Sequence, residues 1–231
     1  MYVPNKRYDE WYFYDSCDKF LNEIDFVYNT YINSIENIFS EPEKEALKYE
    51  EYLNQHLEEV CVNDVIDIPS EIQSMTYHKY ILVKNMKYRH LATYISMIYQ
   101  MFEQFLLSLA KHQQKFISHD YKINNLKLVY LCDGIEMLKE YNFDITILNE
   151  YKKIDELRLL YNVIKHGDGN SKKKLEKIRA DFFVNNDLDM YDNTIINDTL
   201  NISKTDLDTY INSIKKLLHQ FPDKIIHEYY I

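Results

Sequence analysis

The chain has 231 residues, 46% of them apolar, with 22 Tyr, 11 Phe and a net charge of −10. That length makes one large domain or two small ones with a sizeable core. Only three Gly and four Pro are present, too few for the turns of an all-β protein, and the acidic balance argues against a general nucleic-acid coating surface.

Long helices are the expectation. The first spans residues 9–38, with Trp11, Phe13, Phe20, Leu21, Ile24, Val27, Tyr28, Tyr31, Ile35 and Ile38 at helical spacing. Ser40-Glu41-Pro42-Glu43 restarts the chain: a capping serine, then proline and glutamate in the first turn of a charged helix to about Val60. Residues 61–70 read as a loop with a short extended piece, and Ser70-Glu71-Ile72-Gln73 as a second capping box. From there a long helix runs through Leu109, with a break expected near Lys84 to Lys87. Its second half, residues 88–110, is the most apolar and should be central. Gln100, Glu103 and Gln104 interrupt that window, which marks a buried helix and not a membrane span.

Residues 126–141 and 145–166 read as a fourth and a fifth helix, and 171–180 as a short sixth capped by Ser171. Beyond Asp181 the texture changes to β-prone pieces separated by Asn/Asp turns, so a small β-hairpin is expected within 181–202. Thr205 caps a final helix ending near Gln220, before Pro222. The fold class is therefore mainly α: a helical bundle with long antiparallel helices and one small hairpin. Residues 1–68 form an N-terminal helical extension to a helical domain over 69–231, or the two run together as one domain.

Cys17, Cys61 and Cys132 are widely spaced and odd in number, which fits a reducing compartment. The segment Met1 to Arg7 has no apolar signal core, so a cytoplasmic location is expected, with no membrane contact. His112 and His119, like His219 and His227, lack supporting Cys or acidic ligands. Neither a metal nor a cofactor is expected, and no Gly-rich phosphate loop or nucleophile elbow occurs.

The most informative stretch precedes two of the three glycines. Arg158, Asn162 and His166 are spaced i, i+4, i+8, one stripe of a helix, and Gly167 follows directly. Leu157, Leu160, Tyr161 and Ile164 mark the neighbouring core stripe. A basic, an amide and an imidazole side chain are thus aligned at a helix C-terminus. Around them, residues 151–179 hold nine Lys/Arg against four Asp/Glu, a net +5, while the rest of the chain carries −15. Such an island is either a solvated helix face or an RNA contact through Lys165, Lys172, Lys173 and Lys174.

This stretch resembles the HEPN superfamily, small helical-bundle proteins among bacterial toxins and abortive-infection factors, many of them metal-independent RNases. Their signature is an Arg, a polar residue and a His near a helix C-terminus. Asn162 and His166 match it; the tail Lys165 to Gly169, then Ser171, Leu175 and Asp181-Phe182-Phe183, is similar to a bacterial subgroup. The position before Asn162, usually Arg in the family, is Tyr161, and the nearest upstream Arg is Arg158. A weaker likeness covers the helix from Arg89 to Leu109, with Arg89, His90 and Glu103.

The resemblance implies an endoribonuclease of a phage-defence or toxin system, a symmetric homodimer with an interfacial cleft, and a regulatory protein partner. His166 would be acid or base, Arg158 the phosphate clamp, Asn162 the orienting group and Glu103 a supporting polar residue. Imidazole titrates near neutrality, and guanidinium presents a fork matched to phosphate oxygens. Arg158 and His166 lie about 12 Å apart along a straight helix, so one phosphate needs both only if two copies pair. The alternative is a catalytically silent helical module that binds a partner protein or a nucleotide in a defence complex; Tyr161 supports it.

Overall fold

A computed structural model describes residues 10–38, 41–57, 68–116, 127–139, 144–183 and 200–228. Helix α1 is Glu10–Thr30. Phe13, Cys17, Phe20 and Ile24, spaced three or four apart, are all buried. The chain continues in a π-helical turn, Tyr31–Ile35, and a 3-10 turn, Glu36–Ile38. The π turn keeps Tyr31 in the core against Tyr94, with ring centroids 4.7 Å apart. It also rotates the following residues, and Ile38, expected in the core, is 59% exposed.

Helix α2, Pro42–Leu57, lies along the first half of α3, Ile68–Phe116. Its expected cap, Ser40, lies outside the described residues, as does the loop of residues 58–67. Helix α3 begins at Ile68, so Ser70 stands inside the first turn and not at a cap. The expected break near Lys84 to Lys87 does not occur: α3 is continuous over 49 residues, about 70 Å at 1.5 Å per residue. Val83 and Ile72, packed inward with Ala46 and Leu53 of α2, give this polar half an apolar seam of its own.

The main core gathers around the second half of α3. Leu91, Ile95, Ile98, Tyr99, Phe102, Leu106 and Leu109 are buried there among residues of α1 and of three later helices. These are α4 (Leu131–Lys139), α5 (Tyr151–His166) and α7 (Lys204–Glu228); a short α6 (Asn170–Ile178) and 3-10 turns at Ile145–Ile147 and Ala180–Phe183 complete the chain. Gly134 lets α4 approach α3 closely, since a Cβ there would stand 3.3 Å from Leu107 Cδ2. Helix α1 packs into this same core, so residues on both sides of position 68 contribute to it.

The molecule is mainly α, and no strand occurs among the described residues. The hairpin expected within 181–202 is not seen: Asp181-Phe182-Phe183 form a 3-10 turn, and residues 184–199 lie outside the described ones. Among the described residues one backbone hydrogen bond joins the two ends, from the N–H of Asn201 to the carbonyl of Phe182 at 2.8 Å, with the Asn201 side-chain amide donating to the Asp181 carbonyl at 3.4 Å beside it. Phe182 is fully buried and Phe183 packs partly buried against the same core, so neither serves in a ladder.

The final helix starts at Lys204, one residue before Thr205. Ser203 and Asp206 make the cap: the Ser203 N–H and hydroxyl donate to Asp206 Oδ2 at 2.8 and 2.7 Å. The helix runs past Pro222 to Glu228, at the cost of the hydrogen bond that proline cannot donate. No helix among the described residues is long and apolar enough to cross a membrane.

Candidate functional site

Helix α5 is held by Ile154, Leu157, Leu160, Tyr161 and Val163, all buried. That leaves the stripe Arg158, Asn162 and His166 outward: the first two half-buried, His166 exposed. Gly167 ends the helix at φ 66, its N–H donating to the Val163 carbonyl at 2.8 Å. The expected serine cap of the next helix is replaced by Gly169, at φ 156, and Ser171 stands inside the first turn of α6. The C-terminus of α5 and the N-terminus of α6 are thus separated by three residues. A helix C-terminus carries partial negative charge and repels phosphate; a helix N-terminus does the opposite and offers N–H groups without intrahelical acceptors. The start of α6 supplies that positive end next to His166.

Arg158 does not reach toward His166. Its Nε and Nη2 both lie 2.8 Å from Asp155 Oδ1, one turn back along α5. Tyr161, at the position where the family signature has Arg, is buried; it stacks on Tyr99 with centroids 4.5 Å apart. Its hydroxyl accepts from Gln100 Nε2 at 3.1 Å, and Lys165 Nζ lies 5.5 Å from its ring centre.

Glu103 has a structural duty. Its Oε1 accepts from the Tyr99 hydroxyl at 3.1 Å and from the Leu131 N–H, at the start of α4, at 3.2 Å. Neither Arg89 nor Arg158 forms an ion pair with it. Burial, then the Glu103 charge, push the Tyr99 hydroxyl well above the ordinary phenol range. Tyr99 therefore stays neutral and keeps its proton pointed at the carboxylate.

Much of the basic island is neutralised within the chain. Lys153 pairs with Glu156 at 2.7 Å, Arg158 with Asp155, Lys172 with Asp168 at 2.7 Å, and Arg179 with three acids. Lys173 and Lys174 are exposed on α6. The pair at Lys172 is a surface one, since the Asp168 side chain is 82% exposed, and such pairs exchange readily for another anion.

Beside the end of α5 a cleft of about 690 Å³ opens between α3, α6 and the 3-10 turn. Gly167 and Lys172 line it from one side, Arg89, Thr93 and Ser96 from another, and Phe182 and Phe183 close it. Of the residues singled out in the sequence, His166 and Asn162 stand together outside this cleft, and Lys172 lies in it. Arg158 and Glu103 belong to the α5 surface and the α3–α4 junction respectively.

Sequence reasoning missed the best-built polar cluster. Glu156, 6% exposed, accepts from Arg179 Nη1 at 2.8 Å, the Tyr210 hydroxyl at 2.9 Å and Lys153. Arg179 also binds Asp181 and Asp206 at 2.7 Å and lies 3.6 Å over the Phe182 ring. It ties α5 to the 3-10 turn and α7. The partners lie 23 and 54 residues from Glu156, beyond any local pattern. Compared with known proteins, the chain matches no family model, no curated protein and no solved structure.

Proposed function

We propose that the protein is a metal-independent endoribonuclease that works as a homodimer in a phage-defence or toxin system. One observation supports this reading: an exposed His166, with Asn162 one turn before it, ends α5 only three residues before the positive N-terminal end of α6. An acid–base group beside a phosphate-binding helix end is what internal transesterification needs. The 2′-oxygen forms a bond to phosphorus as the bond to the 5′-oxygen breaks, leaving a 2′,3′-cyclic phosphate and a 5′-hydroxyl. One imidazole takes the 2′-hydroxyl proton, and a second returns a proton to the leaving oxygen.

A single His166 cannot hold both protonation states at once, which is the reason for two copies. In a twofold pair the second imidazole is the partner subunit's His166. Arg158, whose bond to Asp155 is a half-exposed surface pair, is available to a phosphate of RNA bound across that interface. Asn162 orients the imidazole, Lys165, Lys172, Lys173 and Lys174 track the RNA backbone, and Glu103 supports the site by fixing Tyr99 against Tyr161. The test is purified protein on total RNA in EDTA, with His166→Ala beside the wild type. Cleavage that persists in EDTA and is lost in the variant bears the reading out; cleavage unaffected by the substitution, or none from either protein, sinks it.

The silent-module reading is favoured by Tyr161, whose ring is committed to the core where the family signature has a cation. On that reading His166→Ala leaves the biological effect and any partner complex unchanged.

A further inference from the structure

We propose that the arm formed by α2 and the first half of α3 is a contact between two copies of this chain. The second copy lies antiparallel along the outer face of α3, about a twofold axis level with position 80. The contact is separate from the α5 pairing and does not rest on the ribonuclease reading.

The seam with α2 uses one side of α3, through Ile72 and Val83. About 100° around the helix runs a second stripe: Glu71, Met75, His78, Leu82, Asn85 and Arg89. Its spacing is 4-3-4-3-4, the heptad pattern by which two helices pack along a shared seam. No described element covers it. Leu82 is 54% exposed, Glu71, His78 and Arg89 are exposed too, and Met75 and Asn85 are half-buried. Helix α2 continues the same face. Tyr49 lines a groove of about 420 Å³ with Met75, His78 and Leu82, and Tyr52, stacked beside Tyr49, is 53% exposed. A continuous face of Leu, Met and Tyr left in water marks an interaction surface.

Charge selects a second copy as the occupant. Glu71 stands at one end of the stripe and Arg89 at the other, and neither has an ion-pair partner among the described residues. Both are equally far from position 80, so the stripe is the complement of its own reverse. Turned end for end, it sets Glu71 against the partner's Arg89, Met75 against the partner's Asn85 and Leu82 against the partner's His78. Twofold symmetry repeats each pair, so two ion pairs close the ends of a seam about 27 Å long at 1.5 Å per residue. A slip of one heptad brings Glu71 opposite Leu82 in one direction and Arg89 opposite His78 in the other. Of these registers, only the one level with position 80 joins opposite charges.

Arg89 also lines the cleft beside the end of α5. The same axis keeps the two copies' Arg89 positions about 27 Å apart along α3. The arm contact therefore does not join the two α5 ends. With the α5 pairing it closes a tetramer, and without it a dimer.

The experiment is light scattering on the full chain over a range of concentrations. It compares the wild type with Leu82→Arg, Glu71→Arg, Arg89→Glu and the double variant Glu71→Arg, Arg89→Glu. All three positions are exposed in the single copy, so the substitutions leave the fold intact, which thermal melts check. Leu82→Arg is expected to halve the mass, from four copies to two if α5 also pairs and from two to one if it does not. The halving reads the arm contact, and the number of copies left reads the α5 pairing. Each single charge reversal sets like charges opposite each other twice and is expected to weaken association at least about tenfold. The double variant re-forms both pairs with their signs exchanged and is expected to return to within about threefold of the wild type. An unchanged mass in Leu82→Arg, a single-copy wild type at every concentration, or a double variant no tighter than the single ones overturns the inference.

Discussion

Tyr161 lies against Tyr99 with ring planes 28° apart, and its hydroxyl meets the Gln100 side chain at 3.1 Å. This contact fixes how α5 rests on α3, and so which face of α5 carries Asn162 and His166 outward. A residue at this position cannot serve as a phosphate clamp without leaving the core.

Tyr161→Phe is expected to lower stability by about 0.5–1.5 kcal/mol, the worth of one hydrogen bond, because the stacked ring remains. Tyr161→Arg restores the family residue in name only. It replaces a stacked ring with a buried guanidinium, is expected to cost about 3 kcal/mol or more, and yields no gain in RNA cleavage. Urea melts and cleavage assays on both variants check this; a stable, more active Tyr161→Arg protein would refute it.

Arg179 binds three carboxylates and covers the Phe182 ring. Burial alone would lower its pKa, but the hydrogen bonds to Asp181, Asp206 and Glu156 outweigh that and raise it. Arg179→Ala leaves the buried Glu156 with only Lys153 and the Tyr210 hydroxyl, frees Asp206 of its cation, and is expected to cost about 3 kcal/mol. Asp181→Asn touches only the exposed end of the cluster and is expected to cost under about 1 kcal/mol. Denaturation midpoints rank the two; similar losses from both would show the cluster is not organised around Glu156.

How far the sequence could be read follows from the range of each interaction. The buried face of residues 91–110 is legible because it repeats every three to four positions, and the end of α5 because Gly167 supplies the one conformation that stops a helix. The continuity of α3 through Lys84 to Lys87 is not, because it depends on a seam with α2 that no local window contains. Likewise Phe182 reads as strand from its neighbours and becomes core only through Arg179 and Asn201. Within the site, His166 and Asn162 were visible as spacing. The cleft was not, since its walls come from α3 and α6, some 80 residues apart, roughly the separation of Arg89 and Lys172.

Acid should unfold the protein from below about pH 4. Asp181 is held under its ordinary value of 3.8 by Arg179, and Asp133 by the N–H groups of Tyr130 and Val129. Burial would raise Asp144, but hydrogen bonds from the Thr146 hydroxyl and N–H outweigh it and lower its pKa as well. Each folded-state value lies below the unfolded one. The stabilisation is complete above about pH 4–5 and is lost as pH falls through the lowered values. Urea midpoints from pH 7 to pH 2.5 should be flat and then drop. In Asp144→Asn the drop should be shallower; an identical profile would remove Asp144 from the account.

The cysteines should differ in reactivity. Burial pushes the Cys17 thiol up to about 12, with the Asp18 charge adding to it, whereas Cys132 is exposed. The thiolate is the nucleophile, so Cys17 is unreactive while the fold is intact. In a Cys61→Ser background, a disulfide reagent at pH 8 should consume one thiol promptly and the second only in denaturant. Two prompt thiols would place α1 outside the core.

Glu103 separates support from chemistry. Its oxygen joins Tyr99 to the first turn of α4, acting as a cap contributed by another helix. Glu103→Leu removes that acceptor and is expected to cost about 1–2 kcal/mol, in the range of a lost cap. Glu103→Gln keeps a carbonyl oxygen at the same place and should lose less than half of that. If His166 carries the acid–base chemistry, its replacement by alanine lowers cleavage about 100- to 10,000-fold, whereas Glu103→Gln lowers it less than about threefold, a change worth under 1 kcal/mol. Rates measured below the melting point of each variant decide between them. A hundredfold loss in a fully folded Glu103→Gln protein would move Glu103 from positioning α4 and Tyr99 into the reacting site itself.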